Sequence, residues 1–117
     1  MPKDFFSDPT NINPRIYAYE DTNPQYRGLL KVGYTSVDVK KRVAQQYPTL
    51  RPGNLPYKII VDEPAMKNDG TIFSDHDVHR QLKKNGIIQE KGEWFRCDEK
   101  DVINVLAHIK NNFLYDQ

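Results

Sequence analysis

A chain of 117 residues fits one domain, and 38% hydrophobic with 28% charged residues supports one core in a soluble, globular protein. A formal net charge of +1 excludes the simplest basic-protein case for nucleic acid, so such a contact would need a local patch. No apolar run approaches the ~20 residues that cross a bilayer. The first ten residues do not resemble a signal peptide, and the single Cys97 excludes an internal disulfide. A reducing, cytoplasmic location with no membrane partner is the default expectation.

Residues 1–14 form an N-terminal arm rich in Pro and Asn, with Phe5 and Phe6 available to tuck against a single domain over 15–117. Residues 16–20 alternate as a strand. DTNPQYRG, residues 21–28, is turn chemistry: Asn-Pro starts a turn and Gly28 permits unusual dihedrals. Residues 29–35, LLKVGYT, make a second strand. Ser36 or Asp38 caps a helix to about Gln46 that buries Val39 and Val43. Three prolines and a glycine make 47–56 a loop, and YKIIVD at 57–62 is a β-branched third strand. A loop over 63–70 leads to a helix over 71–84, with Phe73, Val78 and Leu82 as its apolar contacts and Asn85-Gly86 as its stop. Residues 93–96, EWFR, are a short extended piece. Asp98 or Glu99 opens a last helix to about Phe113, striped by Val102, Val105, Leu106 and Ile109 at helical spacing. The order ββαβα(β)α predicts a small α/β (α+β) layer fold, with about three mainly antiparallel strands flanked by helices.

If the first two strands pair as a hairpin, Tyr17, Lys31 and Arg42 converge from three consecutive elements. A phenol, an amine and a guanidinium around one point suit a phosphodiester: one of the first two handles a proton and the third holds phosphate. Lys31 stands in an otherwise apolar strand, and burying an ammonium is costly unless it is paired, which favours a site-facing role. Between Lys31 and Arg51 five cations, Lys40 and Lys41 among them, face one anion, Asp38. That basic stretch could track phosphates. Tyr19 shares a strand face with Tyr17, and Tyr34 follows Gly33; each either lines the site or packs. Asp75 and His79 lie at i, i+4 on one helix face, as metal ligand and phosphate contact or as a simple pair. Glu93 is either a second acidic contact or the partner of a nearby cation.

These motifs resemble the GIY-YIG nuclease superfamily, and in particular its phage-type branch, the small domains named after a phage open reading frame 172. Arg15-Ile16-Tyr17 stands at the first signature and keeps its Tyr. Lys31-Val32-Gly33 stands at the second, inside a KVGYT run of the branch's own pattern. Arg42 follows Gly33 by nine residues, Asp75-x-x-Val78-His79 matches an acidic-x-x-Leu-His helix motif with Asp for Glu, and Glu93-Trp94-Phe95 matches the closing run. The resemblance implies a metal-dependent endonuclease acting on nucleic acid, DNA first. It gives catalytic roles to Tyr17, Lys31, Arg42 and His79. It assigns one Mg²⁺ or Mn²⁺ to Asp75. Beside that set, the strand face and the basic stretch offer Tyr19, Tyr34, Lys40 and Lys41 as nucleic-acid contacts. The alternative is a catalytically weak or inactive module that keeps the fold and binds nucleic acid or protein. Either form would act alone or within a larger DNA-processing protein.

Overall fold

The computed structural model describes residues 13–48 and 53–111. Apart from Asn13 and Pro14, the expected N-terminal arm lies outside them, as does the last turn expected for the final helix. The elements run β1 (Arg15–Asp21), a 3₁₀ turn (Pro24–Tyr26), β2 (Leu29–Thr35), α1 (Val39–Ala44), β3 (Tyr57–Pro64), α2 (Asp75–Lys84), β4 (Ile88–Lys91), β5 (Trp94–Arg96) and α3 (Glu99–Asn111). One sheet of five strands, all antiparallel, has the order β3-β1-β2-β5-β4.

The α+β class holds, but the sheet has five strands where about three were expected. The extra strands are β4, which was not expected, and β5, which falls on the extended piece expected at 93–96. All four residues of β4 are exposed, so it carries no apolar alternation to announce a strand. Pairing with β5 and the positive φ of Gly92 make it one. The expected helix over 71–84 starts later, at Asp75. Ser74 caps it: its hydroxyl accepts from the His76 N–H, and the Asp77 carboxylate accepts from the Ser74 N–H. Phe73 is buried ahead of that cap instead of inside the helix. Asp38 caps α1 by accepting from the Lys41 N–H. Asp98 opens α3 through reciprocal bonds with Asp101.

Strand alternation divides the buried residues between two faces. On one, Ile16, Ala18, Leu30, Val32 and Val61 pack against Val78 and Leu82 of α2 and against Val102, Val105, Leu106 and Ile109 of α3. On the other, Tyr17, Tyr19 and Tyr57 pack against Val39 and Val43 of α1, with Tyr47, Ile59 and Trp94 at the border. The first face holds the aliphatic core under two helices. The second is aromatic, and among the described residues a six-residue helix covers it.

Candidate nucleic-acid site on the aromatic face

Register places Tyr19, Lys31 and Trp94 side by side on β1, β2 and β5, and sets Tyr17 opposite Gly33. Gly33 has no side chain, and the Tyr17 ring fills the space that a Cβ would take. A Cβ built there would stand 2.5 Å from both Cζ and the hydroxyl of Tyr17. The glycine is therefore required for room, in ordinary strand backbone. Its absent side chain lets the phenol lie flat across β2 toward α1.

There the phenol meets Gln46, just past the end of α1. The Gln46 Nε2 donates to the Tyr17 oxygen at 3.0 Å, and Oε1 accepts from the Tyr19 hydroxyl at 2.7 Å and from the Lys31 Nζ. The amide orientation is chemically forced, because an ammonium only donates and so must face the carbonyl oxygen. Tyr17 thus receives a hydrogen bond from Gln46, and its own proton stays free for another acceptor. Replacing Gln46 by alanine removes the shared partner of three buried or half-buried polar groups. A loss of about 2 kcal/mol is expected, read from the urea midpoint.

Arg42, on α1 four residues before Gln46, is exposed. Its guanidinium lies close enough to the Tyr17 phenol to favour the phenolate. Burial outweighs that influence, and with Glu93 it pushes the Tyr17 pKa up despite the Gln46 hydrogen bond. Burial likewise raises Tyr19 to about 12. For Lys31 the direction reverses. Burial lowers its pKa, with help from Arg42 and against the pull of Glu93. The same burial therefore disfavours a phenolate and favours a neutral amine.

The structure brings Tyr17, Lys31 and Arg42 together on one face, as their spacing predicted. Lys40 and Lys41 stand exposed on α1 beside them. It does not bring Asp75 there. Asp75 opens α2, which packs on the opposite face, and it makes no hydrogen bond or ion pair with any described residue. His79 is 9% exposed, and its Nε2 donates to the Val32 carbonyl at 2.7 Å, so the ring ties α2 to β2. Tyr34 faces the aliphatic core, and Tyr19 is 2% exposed, so neither presents a free ring to a strand. The residue that sequence reasoning missed is Gln46. Its spacing of four from Arg42 was the one available signal.

Among the described residues no three His, Cys, Asp or Glu side chains converge on a metal position. A protein cage is thereby excluded for them, but a Mg²⁺ held by one carboxylate, waters and phosphate oxygens is not. The carboxylate whose charge reaches Tyr17, Tyr19 and Lys31 is Glu93. Half-buried where β5 begins, it also lines an open cleft of about 410 Å³ with His76, His79, Arg80 and Lys83. Glu93, unlike Asp75, is among the charges that act on Tyr17 and Lys31.

An antiparallel sheet with three helices and a Tyr-Lys-Arg group on one face makes a small α+β domain. Residues 16–110 match the family model of the T5orf172 domain, and the chain belongs to that phage-type family. Comparison with curated proteins and with solved structures gives no match. Among the described residues no helix is long and apolar enough to cross a membrane.

Proposed function

We propose that the domain is a metal-dependent endonuclease of GIY-YIG type that hydrolyses phosphodiester bonds, most readily in DNA. The observation that carries this is the Gln46 network, which holds a phenol and a lowered-pKa amine beside an exposed guanidinium on one sheet face. In this mechanism Arg42 clamps the scissile phosphate through paired N–H donors. Lys31, its charged form penalised by burial, takes the proton of the attacking water. Tyr17 stays a neutral phenol and spends its free proton on a phosphate oxygen, where charge builds up. Lys40 and Lys41 hold the flanking backbone as point charges. Glu93 would hold a Mg²⁺ or Mn²⁺, which supplies charge stabilisation at the leaving oxygen.

Incubation with supercoiled plasmid and either ion tests the proposal. Nicking is expected from the wild type, falling at least about 100-fold for Arg42→Ala. A folded wild type that nicks with neither ion, or an Arg42→Ala variant as active as the parent, overturns it. The displacement of Asp75 from the cluster favours a second reading, an inactive binding module with the same fold. In that case salt-sensitive DNA binding would persist without nicking and would survive Tyr17→Phe.

A further inference from the structure

The aromatic face does not end at the Tyr-Lys-Arg group. Trp94, paired in register with Lys31, is half-buried. Tyr19 meets its indole edge-on at 5.6 Å, and Tyr26 meets it from the other side at 4.7 Å. Tyr26 stands on the surface 3₁₀ turn between β1 and β2. Neither the Tyr26 hydroxyl nor the Trp94 indole N–H makes a hydrogen bond with any described residue. Rings that only seal a core usually pair such groups. Here two polar handles and two partly open rings stand beside the amine proposed to act on phosphate.

The surrounding charges give this edge a direction. An open cleft of about 570 Å³ that Tyr26 itself lines carries Glu20, Asp21, Asp98 and Glu99 against one cation, Arg27, a balance that repels phosphate. The cations Lys31, Arg42, Lys40 and Lys41 stand instead on β2 and α1, with Glu93 as the anion whose charge reaches Lys31. A strand crossing Trp94 must therefore leave toward α1. The net charge of +1 also limits how much affinity phosphate contacts alone can supply, so a second source is needed. Stacking on aromatic rings supplies it without sequence preference, provided that the base has an open face. Bases inside a duplex have both faces covered by their neighbours.

Building on the nuclease proposal above, we infer that Trp94 and Tyr26 form a stacking platform for one unpaired base of the strand held at Lys31 and Arg42. The preferred substrate is then single-stranded or locally unpaired DNA. Trp94 is the chain's one tryptophan, so its fluorescence reports on the platform directly. The protein is titrated, without divalent ions, with a short oligothymidylate and with a blunt duplex of equal length. Expected are quenching by the oligothymidylate and affinity about tenfold above that for the duplex. Tyr26→Ala, a surface change whose folding circular dichroism checks, should weaken single-strand binding about tenfold and leave duplex binding unchanged. Saturating single-strand binding without quenching, equal affinity for the duplex, or an unaffected Tyr26→Ala variant overturns the inference. If the duplex binds and is nicked while the single strand is not preferred, only the platform fails. If neither binds at low salt, the nuclease proposal fails with it.

Discussion

Gly33→Ala will lose about 2–4 kcal/mol of stability and the aromatic-face site with it. The new methyl would sit 2.5 Å from the Cζ and hydroxyl oxygen of Tyr17, inside any allowed contact. The ring has nowhere near to retreat. It is 1% exposed and lies 6.2 Å from the Tyr19 ring, to which it is stacked, and its oxygen is held by Gln46. Overpacking of this kind costs about 1–3 kcal/mol, and loss of the Gln46 hydrogen bond adds about 1 kcal/mol. For a domain of this size that corresponds to a melting point lower by roughly 10–20 °C. A double-mutant cycle separates the cause: Tyr17→Ala should cost much less in the Gly33→Ala background than in the wild type. Additive losses would show that the glycine is required for something other than the ring.

Lys31→Arg will lower the nicking rate by two orders of magnitude or more while leaving the fold intact, because a guanidinium cannot accept a proton at accessible pH. The pKa shifts favour the amine over the phenol as the base. Burial raises Tyr17 above its ordinary 10.0 and lowers Lys31 below its ordinary 10.5. The phenol is thus harder to deprotonate than an ordinary tyrosine, and the amine easier than an ordinary lysine. The wild-type rate should rise with pH up to the folded pKa of Lys31, below 10.5, and level off above it. In Lys31→Arg that rise should vanish. An arginine variant with the parental rate and pH profile, joined to an inactive Tyr17→Phe, would make the phenol the base instead.

Much of the active face was legible because its signals are local. A lysine inside LLKVGYT is anomalous by burial alone, and the Asp38 cap with Val39 and Val43 fixes which way α1 turns Arg42. Spacing at i, i+4 correctly joins residues of one helix but does not say which face of the sheet that helix covers. Only the family resemblance grouped Asp75 with Lys31, and α2 packs on the opposite face of the sheet. Gln46 was invisible for a different reason. A neutral amide in Gln45-Gln46-Tyr47 has no pattern, and its role exists only once Tyr17, Tyr19 and Lys31 surround it. β4 was missed because an exposed strand without alternation is held by its backbone partners, whereas β5 falls on the extended piece expected at 93–96.

The β4–β5 hairpin also governs how the molecule meets its own kind. Among the described residues the sheet has its edges at β3 and β4, and the outer rim of β4 would be free to recruit a foreign strand. It spans only four residues, its register slips between Gln89 and Lys91, and the charged Glu90 and Lys91 occupy its end. Short length, irregular pairing and charge are the usual guards against strand-to-strand aggregation. Along this edge, crowded copies of the domain accordingly have little flat apolar ribbon with which to zip together.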